Sequence, residues 1–296
     1  SCLTGPSGDA PGPVCNDDHD VDQDVDLIDW RFLQMHFGST FSGPLFAVHL
    51  TFPVGDYPVD LNSCDIDADG DVDLLTANYW SNNVTVLYND GRGAYVERVD
   101  IGAVNGPSSI GTSDLNGDDQ LDIAVTDYEG DEVIVWTNMD GAFVSSDPIE
   151  TGDGPNSIEI ADLDNDGDKD LIIGNSLEDS ITDSITWLAN DGAGHFNASI
   201  AYAVGNSPVF VRAADLDSDI DLDIVVANAD SDSLRLFRNN SNTGFEPVAG
   251  FFGVGDSPRS IAAFDADEDG DLDLAICNWG TNNVAFKRNQ GNWTFA

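Results

Sequence analysis

One acidic phrase recurs five times along the chain: DIDADGDVDLL from Asp65, DLNGDDQLDIA from Asp114, DLDNDGDKDLI from Asp162, DLDSDIDLDIV from Asp215 and DADEDGDLDLA from Asp265. Successive starts lie 49, 48, 53 and 50 residues apart. A fixed period of this size marks one supersecondary unit repeated along the chain. Such a unit cannot bury its apolar face alone, so neighbouring units must stack.

Each repeat carries the same context: a turn ending in proline, a short apolar stretch, the acidic loop, a strand such as LDIAVTD, a polar turn, and a second strand such as EVIVWTN. The stretches are short, rich in β-branched residues and bounded by Gly, Asn and Asp, without helical periodicity. They predict about four antiparallel strands per repeat. The expected fold is all-β: a five-bladed β-propeller of four-stranded antiparallel blades over residues 45–296. A strand near Phe46 to Phe52 is expected to close it by joining the last blade and removing an open sheet edge. A piece of a longer propeller with six or seven blades is the competing reading. Residues 1–16 form a Gly/Pro-rich tail, and residues 17–39 read as a separate small loop-helix unit.

In every repeat the phrase has the form D-x-[DN]-x-D-x-x-x-D, which places oxygens on alternating residues of a tight loop, as a hard cation with six to eight oxygen ligands needs. The candidate ligands are Asp65, Asp67, Asp69, Asp71 and Asp73; Asp114, Asn116, Asp118 and Asp122; Asp162, Asp164, Asp166, Asp168 and Asp170; Asp215, Asp217, Asp219, Asp221 and Asp223; and Asp265, Asp267, Asp269, Asp271 and Asp273. Asp71, Asp168 and Asp271 would offer backbone carbonyls. Gly70, Gly167 and Gly270 stand at the sharp turn, where Asp119 and Ile220 replace glycine in the second and fourth loops. A β-branched residue resists positive φ, so the fourth loop is expected to bind more weakly.

These repeats resemble FG-GAP/VCBS-type repeats, the calcium-loop blades also found in integrin α-subunit propellers, over roughly residues 45–296. The resemblance implies Ca²⁺ between the first and second strands of each blade, an extracellular setting and a binding role. The N-terminal unit resembles half of a dockerin, or one EF-hand-like loop: Asp18, Asp20, Asp22, Asp26 and Asp29 fall at loop positions 1, 3, 5, 9 and 12, before the helix-like WRFLQMHFG. Gln23 replaces the expected glycine, and only one half is present. Five or six Ca²⁺ ions are expected in all.

Ten Lys and Arg stand against 55 Asp and Glu, a formal net charge of -45. Phosphate backbones and anionic membranes are repelled, which excludes nucleic acid and membrane insertion as partners. Four cysteines suit an oxidising compartment, with Cys2–Cys15 the favoured pair and Cys64–Cys277 disfavoured by their places in the blades. On the blade face opposite the acidic loops, Tyr79, Trp80, Tyr128 and Trp279 recur near Asn156 and Arg259. Aromatics beside short polar groups suit sugar stacking, while packing between blades would use the same residues.

No H-E-x-x-H, G-x-S-x-G, P-loop or G-x-G-x-x-G after a strand occurs, so the chain is read as a non-catalytic module. The expected role is a secreted binding or adhesion module for an extracellular glycan or a surface protein. The alternatives are a self-assembling subunit of a calcium-dependent layer or filament, and a polysaccharide lyase drawing on Tyr128, His195, Arg212 and Arg259.

Overall fold

A computed structural model describes residues 51–102, 104–177, 183–240, 244–291 and 293–296. The chain divides into two units, 1–52 and 53–296, and almost all described residues belong to the second. The expectations for Asp18, Asp20, Asp22, Asp26 and Asp29, for the Cys2–Cys15 pair and for the loop-helix unit fall outside the described residues.

The second unit is built from five antiparallel sheets in chain order. The first contains β1 (Pro58–Cys64), β2 (Asp73–Asn78), β3 (Asn83–Asn89) and β4 (Tyr95–Gly102). In the second, β5 (Pro107–Ser113), β6 (Asp122–Asp127), β7 (Glu132–Met139) and β8 (Ala142–Ser145) are joined by a short β9 (Ile149–Glu150) on β7. The third has β10 (Pro155–Ala161), β11 (Asp170–Asn175), β12 (Ser184–Asn190) and β13 (Phe196–Ala203). The fourth has β14 (Pro208–Ala214), β15 (Asp223–Asn228), β16 (Ser233–Asn239) and β17 (Phe245–Pro247), with β18 (Phe252–Gly253) also on β16. The fifth has β19 (Pro258–Phe264), β20 (Asp273–Asn278) and β21 (Asn283–Lys287).

The period-2 alternation of the strands decides which sheet each side chain meets. On β15, Ile224 and Val226 pack toward the third sheet, whereas Val225 and Ala227 pack toward the fifth. On β11, Leu171 and Ile173 meet the second sheet and Ile172 the fourth. Second strands covered on both faces read as continuous apolar runs, as β6, β11 and β15 do. Four apolar layers result, one between each pair of successive sheets. The first strands β1, β5, β10, β14 and β19 pack each against the next.

Register is set alike in every sheet. The turn proline pairs with the last residue of the second strand, as in Pro58 with Asn78 and Pro258 with Asn278, and a bulge follows at once. Proline has no N–H to give a ladder, which suits it to the start of a strand beside a bulge.

The expected closed ring is not met among the described residues. The fifth sheet has three strands, and only an isolated bridge between Asn289 and Phe295 begins a fourth. On that sheet Ala275 pairs with Phe286 and Cys277 with Val284, the positions held in the fourth sheet by Val225 with Leu236 and Ala227 with Leu234. The latter four are fully buried by the fifth sheet, whereas Val284 is 64% and Phe286 45% exposed, with no further sheet among the described residues to cover them. The closing strand expected over Phe46–Phe52 lies outside the described residues except for Thr51 and Phe52, which are not in a strand. Cys64 and Cys277 are free thiols, as their separate blade positions predict. No helix of the described residues is long and apolar enough to cross a membrane.

Candidate metal centres and an aromatic cavity

Each acidic loop joins the first strand of a sheet to the second and is folded by its own carboxylates. In the first loop Asp65 accepts the N–H groups of Asp69 (3.0 Å) and Gly70 (2.9 Å), and Asp69 accepts that of Asp71 (2.9 Å). The same bonds recur from Asp215 to Asp219 and Ile220, and from Asp265 to Asp269 and Gly270. Two residues per loop take positive φ: Ala68, Gly117, Asn165, Ser218 and Glu268 at the fourth position, and Gly70, Asp119, Gly167, Ile220 and Gly270 at the sixth. Ile220 (φ 83°) therefore adopts the turn that its side chain was expected to resist. The carboxylate–backbone bonds of Asp215 hold it there.

The last aspartate of each loop, Asp73, Asp122, Asp170, Asp223 or Asp273, is fully buried. It accepts one N–H from the second loop residue and one from an asparagine at or within two residues of the end of the third strand: Asp73 takes those of Ile66 (3.1 Å) and Asn89 (2.8 Å). That asparagine also reaches across to the preceding sheet. Asn138 donates to the Ile66 carbonyl (2.9 Å), Asn190 to Leu115 (2.8 Å), Asn239 to Leu163 (2.6 Å) and Asn289 to Leu216 (2.8 Å). Every loop but the last is thus locked against the next blade.

Carboxylate oxygens converge to within 4.8 Å of one another in four loops: Asp65, Asp67 and Asp73; Asp162, Asp164 and Asp166; Asp215, Asp217 and Asp223; Asp265, Asp267 and Asp269. Asp71, Asp168, Asp221 and Asp271 are not in these clusters, and neither are Asp69, Asp170, Asp219 and Asp273. Asp271 instead accepts Ser218 Oγ of the neighbouring loop (3.2 Å). The second loop forms no such cluster among the described residues, and there Asn116 Nδ2 donates to Asp118 (3.1 Å). An amide in place of a carboxylate turns one repulsive pair into a hydrogen bond.

A hard cation fits these loops. The donors are all oxygen, and two inward oxygens, Asp162 Oδ1 and Asp217 Oδ1, are buried with no hydrogen-bond partner, although the Asp217 side chain is only 7% exposed. Burial, with neighbouring carboxylates adding, raises the Asp67, Asp73 and Asp122 carboxyls above their usual range. Burial pushes Asp170 up to about 6 and Asp223 up to about 7. A positive charge among carboxylates crowded and desolvated in this way favours their ionised form.

On the opposite ends of the strands, Tyr57, Val59, Tyr79, Trp80, Ser108, Tyr128 and Asn156 line an open cavity of about 390 Å³. Trp80 stacks on Tyr57 with ring centroids 4.4 Å apart and an interplanar angle of 17°, and both are exposed, at 69% and 54%. The Tyr79 hydroxyl donates to Glu129 (2.6 Å), which pushes its pKa up to about 12 and makes it a fixed donor rather than a base. Asn156, which lines the cavity, holds its Oδ1 buried without a hydrogen-bond partner. Gly106, at φ 75°, lies against Tyr79 so closely that a Cβ would sit 3.1 Å from the ring.

Of the sequence-predicted ligand residues, Tyr79, Trp80, Tyr128 and Asn156 come together here. Trp279 and Arg259 do not; they belong to the fifth sheet, where the Arg259 guanidinium lies 5.6 Å from the Trp279 ring. Sequence reasoning missed Tyr57, although its place before the turn proline, where the other repeats have Gly or Ser, was a readable signal. The residues named for lyase chemistry are engaged separately: His195 faces Asp191 (3.3 Å) and Arg212 faces Glu159 (3.6 Å).

The family described as FG-GAP-like repeat matches residues 65–125, 114–173 and 215–276. No curated protein matches the chain in sequence. Among solved structures, a functionally unknown protein from Desulfotomaculum acetoxidans superposes with a TM-score of 0.57 at 11% identity, over 75% of this chain and 63% of its own. BBS1N, solved in complex with ARL6DN, gives 0.55 at 14% identity over 82% and 68%. A protein from Bacteroides uniformis provisionally named 6-phosphogluconolactonase gives 0.53 at 18% identity over 68% and 56%. The chain therefore spans only part of these neighbours' length, and the likeness is one of fold.

Proposed function

Because the chain belongs to the FG-GAP-like repeat family, which matches more than half of its length, we propose that it is an extracellular, calcium-stabilised propeller-type module with a non-catalytic binding surface, and that the surface takes an extracellular glycan. Ca²⁺ would be held by the converging carboxylates of the first, third, fourth and fifth loops, and it supplies the positive charge that lets them stay ionised in a folded turn. The loops and the cavity lie at opposite ends of the same strands, so the ions would keep the sheets that carry the cavity in register rather than touch the ligand.

The observation that carries the ligand class is the exposed, parallel Tyr57–Trp80 pair in a cavity that Ser108 and Asn156 also line. Flat π-faces take the C–H face of a sugar ring, and short polar side chains beside them bond its hydroxyls. A glycan array tests it. Trp80→Ala should lower retention about tenfold or more, the loss of a well-packed aromatic anchor, with the melting temperature unchanged. Retention unaffected by Trp80→Ala and Tyr57→Ala would remove the cavity from the account, and retention of a surface protein alone would replace the glycan.

A second reading, assembly into a calcium-dependent layer or filament, draws on the uncovered apolar face of the fifth sheet at Cys277, Val284 and Phe286. Light scattering with and without calcium tests it: growth in size with calcium is expected, and a constant size contradicts it.

A further inference from the structure

Five residues share one position in the repeat, each preceding the asparagine whose N–H reaches the last loop aspartate: Tyr88, Thr137, Ala189, Arg238 and Arg288. The next N–H in the chain bonds the last aspartate of the same blade's loop, so this position lies beside that loop. Only ten Lys and Arg occur in the chain, yet two stand here, in adjacent blades.

Both arginines address the carboxylates that would face a cation. Arg238 Nη2 lies 3.0 Å from Asp217 and 3.2 Å from Asp219, and Arg288 Nε lies 3.2 Å from Asp267. Trp293 Nε1 adds a further donor to Asp217 (3.1 Å). Among the described residues no Lys or Arg forms an ion pair with the loop carboxylates of the first or third blade, where Tyr88 and Ala189 hold the position.

We propose that Arg238 and Arg288 are built-in counter-cations that divide the calcium sites into two affinity classes, tight in the first and third blades and weak in the fourth and fifth. This rests on the calcium reading above. A guanidinium within bonding distance of a ligand carboxylate repels an incoming divalent ion and competes for the same oxygens. At the effective dielectric of a half-exposed site that weakens binding about tenfold. With no ion present the same charge offsets the crowding of the carboxylates, so the fourth and fifth loops keep their fold at low calcium. Dependence on calcium then falls on the first and third blades, which carry Tyr57, Tyr79, Trp80 and Asn156.

Calorimetric titration of the full chain with CaCl₂ tests the proposal, together with a melt in excess chelator. The wild type should show two classes of site. Arg238→Gln should move one weak site about tenfold tighter and lower the melting temperature in chelator; Ala189→Arg should make one tight site about tenfold weaker and leave the melt in chelator unchanged or higher. Isotherms identical for wild type, Arg238→Gln and Ala189→Arg would overturn the arginine assignment while leaving calcium binding intact. No heat of calcium binding in any variant would overturn the calcium reading itself.

Discussion

Ile220 sits at φ 83° with 83% of its surface exposed, a conformation that costs a β-branched side chain about 1–2 kcal/mol and gains nothing from packing. The other loops place Gly or Asp there. Ile220→Gly should therefore stabilise the chain by about 1 kcal/mol, the relieved strain less glycine's greater entropy loss, and raise the thermal midpoint. An unchanged or lowered midpoint would mean that the turn bears no strain. At the cavity, Tyr57 and Trp80 are large rings held in solvent by stacking on each other, which leaves aromatic faces exposed rather than packed in the core.

At the scale of the element, the asparagine at the end of each third strand joins three pieces of structure. Asn239 Nδ2 donates to Leu163 of the preceding blade and to Leu222 of its own, at full burial. Asn239→Ala should cost about 2–3 kcal/mol, because it leaves one buried and one half-buried carbonyl without this donor. Asn89 Nδ2 donates only to Val72, so Asn89→Ala should cost less; equal losses in denaturant unfolding would deny the inter-blade bond its role. The alternation of LDIAVTD and EVIVWTN made the strands legible, and the phrase D-x-[DN]-x-D-x-x-x-D made the loops legible, since both are local patterns. The asparagine was not legible as a tie, because its partner lies more than 70 residues away and is a backbone carbonyl, which leaves no mark in sequence. Nor was the bond from the Asn116 amide to Asp118 in the second loop, and Trp279 shared a repeat position with Tyr79 without sharing its neighbours.

For the whole molecule, the charge of -45 and the buried aspartates set the response to pH and calcium. The folded-state carboxyls of Asp170 and Asp223 are raised, to about 6 and about 7, so without an ion the folded chain holds more protons than the unfolded chain between the ordinary aspartate range and neutrality. Stability without calcium should accordingly fall as pH rises from about 4 toward 7. A melt in chelator should be higher at pH 5 than at pH 8, and the gain on adding calcium should be larger at pH 8; a chelated melt flat across that range would contradict this assignment. Closure was the part of the architecture that the period could not convey: repeat length fixes how sheets stack, while a ring depends on what meets the last face. The most direct test of the account is the number of calcium ions retained by the intact chain in native mass spectrometry. The account predicts at least four, one for each converging set of carboxylates; none or one would contradict it and leave the acidic phrases as solvated turns.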